Sequence, residues 1–152
     1  VSGAAVDVYP KEPKSNDEPF DNELRGIPNV ILTPHVGGST MEAQVDIADF
    51  VPKQLMGYIN TGTSFGSVNL PEIRVPQQKK AHRFLHIHRN VPGVMAQVNS
   101  VLAKYQLNIV GQYLKTDETV GYLITDLENN YDKKVIKELR KIEETVKFRV
   151  LY

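Results

Sequence analysis

The fold of the second half of this chain is decided by the stretch FLHIHRNVPG at residues 84–93. Its first five residues alternate, with Leu85 and Ile87 on one face of a strand and aromatic rings at the positions between and around them. The Asn-Val-Pro-Gly that follows is a turn, and its proline suits the first turn of a helix. A strand that turns tightly into a helix is therefore predicted here.

The residues after this turn complete the order βαββαβ. That order predicts a ferredoxin-like fold, in which a four-stranded antiparallel sheet carries two helices on one face. The remaining predicted elements are a helix with apolar residues at Val94, Val98, Val101 and Tyr105, strands at 107–114 and 120–127, a helix capped by Asp132, and a strand at 146–152.

The first half predicts a short α/β segment. Small and apolar residues at 1–9 are typical of a strand buried on both faces in a parallel sheet, and residues 30–32 repeat the pattern. Because a buried strand needs neighbours, we expect the chain to be part of a longer protein. A helix is predicted after Ser39, which forms a capping box with Glu42, and Pro52 predicts a kink within it.

Composition limits the classes of function. The 152 residues include 18 Lys and Arg against 18 Asp and Glu, and no Cys. The neutral balance argues against nucleic acid as a partner, and the lack of Cys excludes disulfides, thiolate nucleophiles and Cys-based zinc sites. The apolar runs are far shorter than the roughly 20 residues that span a bilayer. We expect a cytoplasmic protein without nucleic-acid or membrane partners.

Glu12 and His35 are the candidates for acid–base chemistry. Each follows a strand-like run, and ligands of open parallel sheets bind at the carboxyl ends of the strands. A carboxylate beside an imidazole fixes the tautomer and raises the pKa of the ring, although a solvated Glu and a turn His are the simpler interpretation of the residues alone. Gly37-Gly38-Ser39 could offer amides to a cofactor or form an ordinary turn, and Asp7 could bind a ligand or the next loop.

Polar side chains near the deciding stretch allow two kinds of binding site. His86 and His88 have a spacing that two zinc ligands can use, but no third ligand is suggested, so no metal is expected. Asn90 could cap the following helix. Alternatively, Asn90 and Asn108 could hold a zwitterion, since an amide both donates and accepts hydrogen bonds.

Taken together, these motifs resemble a known family. GAAVDVYPKEP at residues 3–13 and NVILTPHVGGSTMEAQ at 29–44 resemble the end of the catalytic core of the NAD-dependent D-isomer-specific 2-hydroxyacid dehydrogenases. HIHRNVPGV at 86–94, with Asn108-Ile109 and QYL at 112–114, resembles an attached ACT domain, a regulatory module that binds amino acids.

The resemblance implies an α/β protein in three parts. It implies the C-terminal remnant of a Rossmann-type NAD-binding core at residues 1–62, a linker at 63–80 and a ferredoxin-like ACT domain at 81–152. It further implies oxidation of 3-phosphoglycerate to 3-phosphohydroxypyruvate with NAD in L-serine biosynthesis, and L-serine as allosteric effector. Pairing of ACT domains into a homo-oligomer is expected.

The resemblance also assigns roles to individual residues. The implied assignments are catalytic His35 and Glu12, cofactor-binding Asp7, His35, Val36, Gly37 and Gly38, and L-serine-binding His88, Asn90 and Asn108.

Several features of the family lie outside this stretch. The glycine-rich dinucleotide loop and the Arg that binds the substrate carboxylate are expected upstream of Val1, so the chain alone is expected to be inactive. Lys79 and Lys80 stand where some relatives carry paired glycines. The alternative is an amino-acid-sensing ACT module without catalysis; an RNA-binding interpretation of βαββαβ lacks the required basic and aromatic signature.

Overall fold

The computed structural model describes residues 1–76, 78, 81–128 and 131–151. The chain divides into two compact units, Val1–Phe50 and Val51–Tyr152. Within the described ranges, no helix combines the length and apolar character needed to cross a lipid bilayer.

The first unit contains two short parallel strands, β1 (Ala4–Val6) and β2 (Val30–Leu32). Ala4, Ala5 and Ile31 are exposed, so the prediction of a fully buried strand at residues 1–9 is wrong. The physical reason is that, among the described residues, the two strands pair only with each other and no second layer covers them.

Helix α1 (Met41–Thr61) belongs to both units and begins at a different cap from the one predicted. The Thr40 hydroxyl accepts a hydrogen bond from the backbone N–H of Ala43 at 3.1 Å, so Thr40 is the N-cap. Ser39 instead closes a turn through its own N–H, which donates to Val36, and the predicted capping box is wrong. The helix continues through Pro52.

The second unit is the predicted ferredoxin-like fold. Its elements are β3 (Ala81–Arg89), α2 (Val94–Lys104), β4 (Ile109–Thr116), β5 (Val120–Glu128), α3 (Lys133–Leu139) and β6 (Thr145–Val150). The sheet has the order β4-β5-β3-β6 with every neighbouring pair antiparallel, which confirms the βαββαβ arrangement.

Both faces of this sheet are covered by apolar side chains. On the helix face, Phe84 packs with residues of α2 and α3. On the opposite face, Leu85 packs with Ile73 and Val75, which come from the stretch predicted as a linker. The polar part of that prediction, Gln77, Lys79 and Lys80, lies outside the described residues, and the domain bounds at 62 and 80 stay a prediction.

The outer face of the sheet also holds the end of α1. The Arg83 guanidinium donates to the Thr61 carbonyl at 2.8 Å, and the Tyr122 hydroxyl donates to the Gly62 carbonyl at 2.6 Å. Gly62 has φ +79°, and an added Cβ would collide with Leu85. Only glycine therefore allows both the turn and this close approach.

Candidate functional site

His35 and Glu12 lie side by side in the first unit. The Nδ1 atom of His35 is 2.9 Å from Oε1 and 3.0 Å from Oε2 of Glu12. A carboxylate only accepts hydrogen bonds, so Nδ1 carries the proton and donates it. In the neutral ring, Nε2 then keeps a lone pair that can accept a proton from a ligand.

The loop after β1 places the Glu12 carboxylate. The backbone N–H of Tyr9 donates to Oε1 at 3.0 Å, and this bond, followed by that from His35, lowers the pKa of Glu12 below its ordinary value. The Tyr9 ring is buried, and its hydroxyl donates to the Thr33 carbonyl at 2.7 Å and lies 2.8 Å from the Val6 carbonyl. Tyr9 thus joins the loop that carries Glu12 to the end of β2.

The end of β2 places His35. Its backbone has φ +51°, a left-handed conformation, and its N–H donates to Asp7 Oδ1 at 3.0 Å. The hydrogen bond that His35 donates to Glu12, and then the charge of Glu12, raise the pKa of His35 above its ordinary value. The ring is therefore a stronger base than a free histidine and remains partly exposed, with 43% of its side chain accessible.

Asp7 binds the neighbouring loop. It accepts hydrogen bonds from the Thr33 hydroxyl and from the His35 backbone N–H, which lower its pKa. The first of these is the largest cause of the lowered pKa. Of the two roles left open for Asp7, the structure has the carboxylate receiving loop donors, and a contact with the cofactor stays a prediction.

Residues 36–39 form an open turn in front of α1. No atom would lie within 4 Å of a Cβ added to Gly37 or Gly38, and Val36 is 53% exposed. The first turn of a helix has unpaired backbone N–H groups and a partial positive charge. An open glycine turn at that point fits the close approach of the polar part of a dinucleotide.

A cavity of about 620 Å³ adjoins the His35–Glu12 pair. Its wall includes the buried ring of Tyr9, the cationic side chains Lys14 and Arg25, and the carboxylate of Glu18. The sequence offered no signal for Tyr9, because a tyrosine after a strand is an ordinary core residue until its hydroxyl partners are known.

His88 and Asn90 lie at the end of β3. His88 is 2% exposed, and its Nδ1–H donates to the Arg89 carbonyl at 2.8 Å. Its Nε2 is buried and has no hydrogen-bond partner in the part of the chain that the structure describes. Asn90 donates from Nδ2 to the Asp117 carbonyl at 2.7 Å. The N-cap of α2 is Gly93, in a left-handed conformation, so the capping role considered for Asn90 is wrong.

Asn108 lies at the other end of the sheet. Its Nδ2 donates to Glu128 at 2.7 Å, whereas Asn90 follows Arg89, which pairs with Val120 at the opposite end of β5. Eight residues of strand separate the two ends, about 27 Å at roughly 3.4 Å per residue. One copy of the chain therefore does not bring Asn108 to Asn90.

The two histidines of β3 form no metal site in the described residues, where no group of three or more potential ligands is found. The His86 and His88 rings are 5.6 Å apart, and His86 is hydrogen-bonded to the Thr145 hydroxyl at 2.8 Å. Burial, and then the charge of His88, lower the pKa of His86 to about 4. His86 is consequently a neutral core residue at pH 7.

Comparisons of the sequence match two separate parts of it to two families. Residues 1–37 match the D-isomer specific 2-hydroxyacid dehydrogenase NAD binding domain, and residues 84–147 match the AHAS small subunit-like ACT domain. D-3-phosphoglycerate dehydrogenases match all of this chain: the sequences from Haemophilus influenzae and Dictyostelium discoideum are 43% and 44% identical, and that from Escherichia coli K12 is 40% identical. The chain spans 37% of the length of each of these relatives.

Proposed function

We propose that this chain, as a member of the D-isomer-specific 2-hydroxyacid dehydrogenases, is the C-terminal part of a D-3-phosphoglycerate dehydrogenase. In that enzyme it supplies the acid–base pair and the regulatory domain. The reaction is the NAD-dependent oxidation of 3-phosphoglycerate to 3-phosphohydroxypyruvate, which begins L-serine biosynthesis in the cytoplasm. The observation that carries the proposal is the contact of His35 Nδ1 with both carboxylate oxygens of Glu12, at 2.9 and 3.0 Å.

His35 is the catalytic base in this proposal. Its Nε2 accepts the proton of the substrate 2-hydroxyl, because Nδ1 already holds the proton that it donates to Glu12. The chemistry that bound NAD⁺ would supply is an acceptor for the hydride that leaves the substrate carbon as the carbonyl forms. The Glu12 carboxylate stabilises the resulting imidazolium, and in the reverse direction the same ring returns the proton.

The open turn before α1 is the proposed contact with NAD. Backbone N–H groups of Gly37 and Gly38 are accessible to a polar group of the cofactor, with Val36 beside them. Asp7 acts here by holding the His35 backbone, and a direct contact of its carboxylate with the nicotinamide end is part of the proposal.

Substitution of His35 in a complete enzyme that carries this chain tests the catalytic role. We expect His35→Ala to lower kcat at least about 10²-fold, the usual contribution of a positioned base. Glu18→Gln is the matched control, because Glu18 lies on the same cavity wall and its carboxylate accepts a hydrogen bond from the Lys14 backbone N–H rather than from His35. A near-normal kcat for His35→Ala overturns the assignment.

The ACT domain is the proposed binding site of L-serine, formed between two copies. Strand β4 is an edge of the sheet and exposes Ile109, Val110 and Leu114. Antiparallel pairing of two β4 edges brings the start of one strand beside the end of the other. Asn108 of a second copy then lies near Asn90, although the two residues are far apart within one chain.

Calorimetric titration of L-serine tests this site. We expect binding to the chain, lost in Asn90→Ala and in Asn108→Ala, while Asn69→Ala, an amide substitution in the proline-rich stretch before the sheet, leaves it unchanged. Mixing Asn90→Ala with Asn108→Ala chains restores part of the binding if each site takes its amides from two copies. Unchanged affinity in both single variants contradicts the assignment.

A second candidate function depends on the second unit alone. The βαββαβ fold has a closed core, whereas both strands of the first unit are short and exposed. An amino-acid-sensing module without catalysis would need only the βαββαβ fold. NADH formation from 3-phosphoglycerate by a complete enzyme supports the dehydrogenase, and serine binding without it supports the sensor.

A further inference from the structure

We propose that the hairpin turn at residues 117–119, between β4 and β5, together with Gly121 of β5, is a positioning element of the effector site and that Gly121 sets the place of the His88 ring. The inference rests on the proposed function of that site and extends it to residues that no comparison assigns. Its physical basis is a lack of space above Gly121 and a set of backbone acceptors that orient Asn90.

Gly121 lies directly opposite His88 in the pairing of β5 with β3. A Cβ added to Gly121 would collide with Cε1 of the His88 ring and lie 2.5 Å from Nε2 and 2.9 Å from Nδ1. The backbone of Gly121 is not in the left-handed region, so space alone requires glycine here. Any larger residue must displace the ring.

The position of the ring determines which of its nitrogens is available. At its present place, Nδ1–H donates to the Arg89 carbonyl at 2.8 Å, which leaves the lone pair of the neutral ring on Nε2. That atom is buried and has no partner among the described residues. An unpartnered buried acceptor is unfavourable, and a ligand that donates a hydrogen bond to it relieves the cost.

The same turn orients the Asn90 amide. Its Nδ2 donates to the Asp117 carbonyl at 2.7 Å, and its backbone N–H donates to the Thr119 carbonyl at 2.9 Å. Because a carbonyl can only accept, the amide must present its NH₂ to Asp117. Its Oδ1 is the atom left to accept a hydrogen bond from a ligand. Asn90 Oδ1 and His88 Nε2 are therefore both acceptors.

The turn is itself fixed by one carboxylate. Asp117 Oδ1 accepts from the backbone N–H groups of Thr119 at 2.8 Å and Val120 at 2.7 Å. The bond from Val120 and then that from Thr119 hold the pKa of Asp117 below its ordinary value, so the carboxylate stays charged. The acceptors that hold Asn90 are thus ordered before a ligand arrives.

Two ordered acceptors favour a ligand rich in donors. An ammonium group and a hydroxyl group satisfy them, as in a small hydroxylated amino acid. A dicarboxylate presents further acceptors to the same atoms and is disfavoured.

Gly121→Ala is the test, with two readouts on the chain. In the ligand-free protein, the nitrogen shifts of the His88 ring, identified by their loss in His88→Ala, report the tautomer. We expect the Nδ1–H form in the unaltered chain, loss of that signature in Gly121→Ala, and serine affinity at least about tenfold weaker. Gly57→Ala is the matched control, because no atom lies within 4 Å of its added Cβ.

The outcomes separate this inference from the proposed function. A Gly121→Ala chain that keeps both tautomer and affinity overturns the positioning role. Failure of the unaltered chain to bind serine, with the tautomer still dependent on Gly121, removes the effector assignment and leaves the positioning role. If Gly121→Ala does not fold, combining it with His88→Ala restores folding, since the ring no longer occupies the space; a double variant that stays unfolded overturns the inference.

Discussion

Arg83 and Asp126 form two parallel hydrogen bonds inside the second unit, Nε to Oδ1 at 2.6 Å and Nη2 to Oδ2 at 2.7 Å, and both side chains are fully buried. The same guanidinium donates to the carbonyl of Thr61. A buried ion pair is costly to desolvate, but its geometry here satisfies both partners. Its main consequence is that neither partner can be removed alone.

We predict that Asp126→Ala lowers the free energy of unfolding by about 3–5 kcal/mol, because it leaves a buried guanidinium without its carboxylate. Urea denaturation followed by circular dichroism measures the loss. Lys134→Ala is the control, since its ammonium lies 3.8 Å from Asp132 at an exposed site and is expected to contribute less than about 1 kcal/mol. Replacing both partners by Leu and Met costs less than Asp126→Ala alone; a double variant that is less stable refutes this account.

The second prediction concerns the titration of His35. Glu12 raises the pKa of His35, so Glu12→Gln moves that pKa down towards 6.5, its ordinary value. A proton NMR titration of the ring in the chain measures the shift, with Glu18→Gln as control. In a complete enzyme, oxidation needs the neutral ring, and the rise of kcat with pH therefore moves to lower pH in Glu12→Gln. An unchanged titration shows that the carboxylate does not act on the ring in solution.

The sign of the accompanying stability change follows from the same shift. A raised pKa means that the folded chain binds the proton of His35 more tightly than the unfolded chain. The stabilisation is present below the unfolded value, near 6.5, and is lost as pH rises through the folded value. His35→Asn is expected to remove this part of the pH dependence.

His86 predicts the opposite behaviour. Its pKa is lowered from 6.5 to about 4, so between these values the unfolded chain binds a proton that the folded chain does not. Stability is fully present above pH 6.5 and falls as pH drops towards 4, by at most about 1.4 kcal/mol per pH unit. Urea midpoints at pH 7 and pH 4.5 measure this loss. It should be smaller in His86→Phe, and an equal loss in that variant assigns the acid sensitivity to other groups.

The second unit was predictable from sequence because its first and last strands carry a clear alternation of side chains. Leu85 and Phe84 do lie on opposite faces, and Asp132 does cap α3 through the backbone N–H of Lys134. The predicted ends of the strands differ from the observed ones by at most two residues, except that β3 begins at Ala81, three residues before the predicted alternation. The periodicity of side chains is a local property, and local properties survive the step from sequence to fold.

The errors arise where a local pattern has two solutions. Ser39 and Thr40 can both cap a helix, and only the backbone decides that the Thr40 hydroxyl meets the N–H of Ala43. The candidate site was likewise only partly predictable from the sequence. The pairing of Glu12 with His35 was expected from the resemblance, whereas the support of Tyr9 depends on hydrogen bonds to distant carbonyls and carries no signal in the sequence.

The stretch at residues 63–76 gives the last prediction. Glycines and prolines made it resemble a linker, yet Ile73 and Val75 are only 7% and 8% exposed and cover Leu85 and Tyr122. Ser64 fixes this stretch, since its hydroxyl donates to the Pro71 carbonyl at 2.7 Å and accepts from Ile73 N–H at 2.8 Å. The covering is therefore ordered.

We expect Ile73→Ala to lower the free energy of unfolding by about 2–4 kcal/mol, because it opens a cavity over the outer face of the sheet. Val68→Ala, in the same stretch, is the matched control: Val68 is fully exposed, and its truncation should change stability by less than about 0.5 kcal/mol. If Ile73→Ala unfolds at the same urea concentration as the unaltered chain, the stretch only connects α1 to β3, as its composition suggested, and the outer face of the sheet is stable without it.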